Sequence, residues 1–248
     1  MKKLKKNLTA VSIASFIILF SACGGNDKED ETYGTSTETT AEFDNSNFGL
    51  YKGVIVGSSG VIKININNGN GETKASITID GRIDNLTCST PLTSGQNIEE
   101  ALFSGNFSSF SFSVNANGSN PIINNINIDG HDDVGITVLK EKSTDIVTCY
   151  EGTSTGGNNH NGVFNVVRNN NSYSTIATGP PTWSFSGSIG AEGSVSASTS
   201  SYFSNDDVNF IVQFTCSGSF NGDNLSGTWN TSWDGGTNYG TFTGKKTL

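Results

Sequence analysis

The sequence predicts an all-β protein, an antiparallel meander that forms a barrel or a two-sheet sandwich with at most one short helix. Glycine is abundant, with 30 residues in a chain of 248, and 15 phenylalanines accompany a charged fraction of only 15%. Short segments alternate apolar and polar residues, and turns rich in Gly and Asn separate them. Such alternation and punctuation are typical of short strands joined by tight turns rather than of helices.

The first clear hairpin follows this pattern. Ile62, Ile64 and Ile66 alternate with polar residues, which predicts a strand with one wet face. The Asn- and Gly-rich stretch 67–71 supplies residues that tolerate positive φ, and residues 75–79 alternate back.

The same alternation predicts strands around residues 110–114, 126–128, 136–138 and 164–166. The longest run spans 208–220, and Gly218 is a candidate bend within it. The only plausible helix is 98–103, where Asn97 could act as the N-cap and Glu100 could complete a capping box.

The N-terminus predicts an exported protein. Four lysines within the first six residues precede the apolar stretch 8–20, which is too short to span a bilayer comfortably. Residues 1–22 are therefore expected to be a signal peptide.

The sequence Phe20-Ser21-Ala22-Cys23 resembles the lipobox of bacterial lipoproteins. That resemblance implies cleavage before Cys23, acylation of its thiol with diacylglycerol, and a stable anchor in the membrane, since two or more acyl chains hold a protein firmly. Ordinary signal-peptidase cleavage after Ala22 is the alternative, but it favours a small residue where Phe20 stands.

A polar, acidic segment follows the cysteine. Residues 24–31 resemble the export signal of Bacteroidota surface lipoproteins, which implies the outer face of the outer membrane. Residues 23–47 are expected to be a lipidated cysteine followed by a flexible acidic linker.

Residues 48–248 are long enough for a single β-rich domain. Glycine-flanked aromatics at both ends of this region favour pairing of its first and last strands, which would remove exposed edges. Weak similarity between its parts leaves open two related halves, with a break near residues 152–162.

The charge balance excludes some partners. The formal net charge is −9, and no basic patch occurs in residues 48–248. We therefore expect no nucleic-acid partner, and no membrane contact beyond the lipid anchor.

No stretch carries a convincing catalytic or cofactor signal. Residues 152–156 spell a nucleophile elbow, but no helical pattern follows and no histidine occurs after His160, so a loop is the favoured interpretation. His131 and His160 are the only histidines, and the acidic turn 129–133 lacks the ligand spacing of a calcium loop. Five glutamates are scattered without a recognisable setting. They are Glu99, Glu100, Glu141, Glu151 and Glu192. We predict a protein without enzymatic activity, metal or cofactor.

Aromatic side chains are the better candidates for ligand contact. Trp183 follows a rigid Gly-Pro-Pro corner, and Trp233 stands beside an Asp-Gly-Gly turn at a strand end. Trp229 shares the strand parity of Trp233 and of Leu225, which favours a core position for Trp229. Trp183 and Trp233 are the predicted ligand-binding residues.

Cys88, Cys149 and Cys216 remain beyond the lipidated cysteine. Two of them could pair in an exported protein, or each could be a small buried apolar residue.

Three classes of function fit these features. The first is a non-catalytic binding module tethered at the cell surface, for a glycan or a small apolar ligand. The second is an accessory subunit that docks on an outer-membrane protein, and the third is a hydrolase. The binding module is the favoured hypothesis.

Overall fold

In the part of the chain that the structure describes, sixteen strands form two antiparallel sheets of eight strands each, and each sheet curls into a nearly closed barrel. The structure is a computed structural model that describes residues 38–69, 71–157, 161–178, 183–204 and 209–248. The all-β prediction is confirmed. Beyond the strands, the described residues contain only single 3-10 turns at Ala41–Phe43 and Ala191–Gly193.

Barrel 1 is built from the first eight strands, which are β1 Gly49–Val56, β2 Gly60–Ile66, β3 Thr73–Ile79, β4 Arg82–Cys88, β5 Ile98–Ser104, β6 Ser108–Val114, β7 Ile122–Ile128 and β8 Gly135–Lys140. Strands β1 to β7 pair in chain order, and β8 pairs with the other side of β1. The end strands β7 and β8 contact each other, so the sheet is closed except for this seam.

Barrel 2 is built from the last eight strands, which are β9 Thr148–Gly156, β10 Asn161–Arg168, β11 Ser172–Ala177, β12 Trp183–Ser188, β13 Ser194–Ser204, β14 Asn209–Asn221, β15 Asn224–Trp233 and β16 Gly236–Lys246. Here the first and last strands, β9 and β16, are hydrogen-bonded. The seam lies instead between the end strands β12 and β13.

The predicted hairpin is confirmed in its register. Ile62 lies opposite Ile77 and Ile64 opposite Ala75, so both strands direct their apolar set into barrel 1. The outer face of β2 is not wet, however, because Val61 packs against barrel 2 and Asn65 is fully buried.

Residues 98–103 form strand β5 and not a helix. Ile98, Ala101 and Phe103 all point into the core, and a β-bulge between Ile98 and Ala101 shifts the register. Glu100, which suggested a capping box, adopts a positive φ of 52° at this bulge. The three-residue spacing of Ile98 and Ala101 imitates a helix because the bulge inserts an extra residue into the strand.

The segment 38–48, which we call the strap, closes the end of barrel 1 that carries the β2–β3 and β4–β5 loops. Asp44 accepts hydrogen bonds of 2.8 and 2.6 Å from the backbone N–H and hydroxyl of Ser143. Asn47 bonds the carbonyl of Thr93 and the N–H of Gly95. Residues 38–47, predicted as part of a flexible linker, are instead held by hydrogen bonds to the loops of the barrel, and residues 23–37 lie outside the described residues.

The opposite end of barrel 1 is closed by the loop between β5 and β6. Asp84 is fully buried, and its carboxylate accepts hydrogen bonds from the backbone N–H groups of Asn106 and Phe107 and from the hydroxyl of Ser108. Burial acts to raise the pKa of Asp84, but these hydrogen bonds hold the pKa below its ordinary value. Barrel 1 is thus covered at both ends.

The two barrels share an apolar interface. It consists of Val54, Val61, Val147, Cys149 and Val167, with Leu139 and Leu248 at its margin. Every residue of β1 is buried, because one face of this strand lines barrel 1 and the other meets barrel 2. The first and last strands of the whole region do not pair with each other. Closure occurs within each barrel, through β1 with β8 and β9 with β16.

The chain passes between the barrels at residues 141–147, where a buried ion pair lies. Lys52 on β1 donates to Glu141, whose carboxylate also accepts the backbone N–H of Val147 at 3.0 Å. Asn165 on β10 donates a 2.6 Å hydrogen bond to the carbonyl of Ile55. The break suggested near residues 152–162 is not this passage. That stretch contains the end of β9 and the beginning of β10, two strands that pair with each other.

Glycines on the inner face of barrel 2 make room for aromatic rings. Phe242 lies directly opposite Gly227, and a Cβ atom added to Gly227 would lie 2.3 Å from its ring. Trp229 lies opposite Gly240, whose added Cβ would lie 2.7 Å from the indole. Alternation of large and small residues fills a narrow barrel, which explains the glycine-flanked aromatics of the sequence.

Within the residues described, no helix has both the length and the apolar character needed to cross a bilayer.

Candidate functional site

The described interior of barrel 2 is too full to hold a small molecule. Its internal cavity measures about 10 Å³ and is lined by apolar and aromatic side chains such as Phe164, Phe185 and Phe242. Phe164 and Phe242 stack at a centroid distance of 4.2 Å. Since a single water needs roughly 10–15 Å³, this interior is packed core.

A much larger concavity, of about 710 Å³, lies across strands β14, β15, β16 and β9 of barrel 2, and we call it the groove. Its lining falls into three rows that follow the strand register. The first is Thr155, Thr241, Thr228 and Ser217; the middle one is Gly156, Gly240, Trp229 and Cys216; the third is Gly157, Tyr239, Asn230 and Thr215.

Strand geometry explains how these rows form a groove. Trp229 and Cys216 belong to the core of barrel 2, so the neighbouring residues of each strand point outward. The middle row therefore presents its backbone as the floor, and the outer rows form two walls spaced two residues apart, roughly 6.8 Å. Gly156 and Gly240 add no side chain on the inner side, where the Trp229 ring occupies the space.

Hydroxyl groups dominate the first wall. The hydroxyl oxygens of Thr155 and Thr241 are 3.3 Å apart, and those of Ser217 and Thr228 are 3.4 Å apart. Adjacent strands lie about 4.8 Å apart, so this wall repeats a donor and acceptor at each strand.

The opposite wall carries an aromatic ring and an amide. Tyr239 is 71% exposed, and it lies opposite Asn230 in the register. An exposed ring beside an amide and a row of hydroxyls provides one apolar contact face and several hydrogen-bonding groups.

The structure places the predicted ligand-binding tryptophans away from the groove. Trp183 is 7% exposed and stacks on Phe214 at 5.3 Å, so it is a core side chain. Trp233 ends β15 half-buried, with its ring packed over Gly236 and against the core of barrel 2. Trp229 is buried as predicted. The flanking turns suggested exposed positions for Trp183 and Trp233. Instead, the Trp183 ring belongs to the core of barrel 2 and the Trp233 ring packs against it.

The stretch that spells a nucleophile elbow forms no elbow. Residues 152–156 lie in the extended strand β9, and Ser154 is buried. A nucleophile elbow requires a sharp turn between strand and helix, so this serine lacks the necessary geometry.

The candidate acidic residues and histidines lie in separate places. Glu141 pairs with Lys52 between the barrels, and Glu151 accepts a hydrogen bond from Ser59. His131 lies 3.6 Å from Asp80 near the end of β7, whereas His160 lies outside the described residues. Among the residues that the structure describes, no group of three or more His, Cys, Asp and Glu side chains could hold a metal ion.

Cys88, Cys149 and Cys216 are free thiols at three different places in the fold. Cys88 ends β4 in barrel 1, Cys149 lies in the interface between the barrels, and Cys216 lies in barrel 2. Burial raises the pKa of Cys149 and raises that of Cys216 to about 11, so both behave as inert apolar residues.

Cys23, the predicted site of lipidation, lies outside the described residues.

A sequence signal for the groove does exist. Between residues 209 and 244 the only charged residues are Asp223 and Asp234, and the outward alternate positions of the strands are mostly Ser, Thr and Asn, with Ile211, Gln213 and Tyr239 among them. Exposed strand positions in soluble proteins usually include lysine and glutamate. A long, exposed and uncharged face is therefore unusual, but its assembly from four strands depends on their register.

Comparisons of the chain with protein-family models, with curated proteins and with solved structures find no match.

Proposed function

We propose that this protein is a non-catalytic binding module of the cell surface, anchored to the outer membrane through lipidated Cys23, and that its groove binds an extracellular glycan. The observation that carries the proposal is the contrast between the two volumes in barrel 2. The groove, at about 710 Å³, falls in the range of ligand sites, whereas the interior offers about 10 Å³.

The chemistry of the groove supports a sugar ligand over a small apolar one. Sugars present many hydroxyl groups that need both donors and acceptors, which the serines, threonines and Asn230 provide. The C–H faces of a sugar ring pack against aromatic rings, and Tyr239 offers an exposed one. A small apolar ligand would instead need an enclosed apolar cavity.

The location of the groove fits a tethered module. The strap joins the N-terminal segment to barrel 1, while the groove lies on barrel 2. A ligand in the groove would therefore not compete with the attachment of the chain.

A glycan array tests the proposal. The mature chain with Cys23→Ser is applied beside its Tyr239→Ala variant, and we expect the variant to bind about tenfold more weakly, which corresponds to roughly 1.4 kcal/mol. Ile211→Ala is the matched control, because Ile211 is 56% exposed on β14 of the same sheet but does not line the groove. Equal binding by Tyr239→Ala would exclude the groove as the site. If the protein binds no glycan on the array and an outer-membrane protein co-purifies with it, the results would support an accessory subunit instead.

A further inference from the structure

We infer that the groove binds an uncharged polysaccharide whose chain lies across the strands, and this inference rests on the proposed function. Three features of the groove lead to it. They are the absence of charge in its lining, its direction, and the small residues at one of its ends.

The described lining of the groove contains no charged side chain. The nearest charges along its strands are Glu151 on β9, Lys245 on β16 and Asp234 after β15, and each is four residues from the lining of the groove. A uronate or sulfated chain would lose water from its charges without gaining a cation, and it would approach a protein of net charge −9. A cationic chain would find no carboxylate among the groove residues.

The direction of the groove is set by the strand register. Its rows run perpendicular to the strands and cross four of them, a length of roughly 14 Å at 4.8 Å per strand. A narrow groove of this length suits an extended run of sugar units better than a single sugar.

Beyond the β14 end of the groove, the three rows continue onto a fifth strand. Ser196, Ala197 and Ser198 of β13 lie directly opposite Ser217, Cys216 and Thr215. Ser196 and Ser198 are exposed and small. A polymer longer than the groove can therefore extend past this end.

The test uses matched pairs of soluble polymers. A β-glucan, a xylan, a galactomannan and an α-glucan are each titrated as the neutral polymer and as its carboxymethylated derivative, against the mature chain with Cys23→Ser. Isothermal titration calorimetry is the readout. We expect at least one neutral polymer to bind, its carboxymethylated form to bind at least tenfold more weakly, and the monosaccharide and disaccharide of that polymer to bind at least tenfold more weakly than the polymer.

Two variants make the test specific to the groove. Thr241→Lys places a cation on the first wall. It should reduce or reverse the ratio of the affinity for the neutral polymer to the affinity for its carboxymethylated form. Thr243→Lys is the matched control, because Thr243 is exposed on the same face of β16 but does not line the groove. It should leave the preference unchanged.

The outcomes separate the two proposals. Equal or tighter binding of a carboxymethylated polymer, or equal affinity for a disaccharide and its polymer, would overturn this inference and leave glycan binding intact. Binding of no polymer in either form would overturn the proposed function, and this inference with it.

Discussion

The hydroxyl of Tyr173 on β11 donates a 2.7 Å hydrogen bond to the carbonyl oxygen of Ser196 on β13, and it thereby bridges the seam of barrel 2. Tyr173 lies opposite Gly187 of the end strand β12, and a Cβ atom on Gly187 would lie 2.9 Å from the tyrosine oxygen. The missing side chain of Gly187 lets the phenol pass to β13. A side chain of β11 thus reaches past the end strand β12 and bonds the other end strand, β13, where the backbone hydrogen bonding of the sheet stops.

Barrel 2 should lose stability at alkaline pH. Burial, together with the nearby Cys216, raises the pKa of Tyr173 from 10.0 to about 12, and burial raises the pKa of Cys216 from 9.0 to about 11. Both groups stay protonated in the folded state while the unfolded chain releases its protons at the ordinary values. Their stabilising contribution is therefore complete below pH 9 and declines from about pH 9 to 12.

Urea unfolding at intervals from pH 8 to pH 11.5 measures this decline. Tyr173→Phe should lower the stability by about 1 kcal/mol at pH 8, because one hydrogen bond is lost, and it should flatten the decline above pH 10. Tyr239→Phe is the control, since Tyr239 is 71% exposed. An identical pH dependence in Tyr173→Phe and the unaltered chain would contradict the assignment.

Gly227→Ala should destabilise the protein by about 1–3 kcal/mol, the usual cost of overpacking. The new methyl group would lie 2.3 Å from both the Phe242 ring and the carbonyl oxygen of Ser217. Gly135→Ala is the matched control, because its methyl group would meet Ile176 at an ordinary 3.5 Å. Thermal unfolding followed by near-ultraviolet circular dichroism compares the two, and equal midpoints would argue against close aromatic packing over Gly227.

Lys52→Met should destabilise the protein by about 3–5 kcal/mol, because it leaves the buried Glu141 carboxylate without its cation. Adding Glu141→Gln removes the stranded charge, so we expect the double variant to be more stable than Lys52→Met alone. Chemical unfolding of the four proteins in the cycle gives the coupling energy. A double variant destabilised by the sum of the two single variants would show that the two side chains are not coupled.

Cys23→Ser should release the protein from membranes, because it removes the predicted site of acylation. Fractionation of cells that express the full-length precursor, followed by immunoblotting, measures the release. Cys88→Ser should remain in the membrane fraction, since Cys88 lies in the folded barrel. Retention of Cys23→Ser with the membrane would contradict a lipid anchor at this residue.

Much of the fold was predictable from local alternation. The strands that contain Ile62, Phe112 and Phe214 follow directly from the pattern of apolar residues. The number of barrels was not predictable in this way, because it depends on which strands pair at β1 with β8 and at β9 with β16. Those contacts join residues far apart in the sequence, and no local pattern encodes them.

The candidate site was harder to predict than the fold. Tyr239, Asn230 and Thr228 are ordinary surface residues of alternating strands, and they become a groove only through the register of β15 with β16. The tryptophans attracted attention by their size, yet Trp183 fills the interior. The absence of charge from residues 224–233 was the usable signal, because it distinguishes this face from a typical solvated strand.

The strap determines how a mechanical load would enter the fold. Its hydrogen bonds reach the loops at Asn68, Thr93 and Ser143, and Phe43 packs against Phe48 at a centroid distance of 6.1 Å. A pulling force applied through the N-terminal segment would act on these hydrogen bonds first. Strand β1, which is held between β2 and β8, would carry the force only after the hydrogen bonds of the strap had broken. The strap would therefore protect the sheet of barrel 1 from a force applied at the N-terminal side.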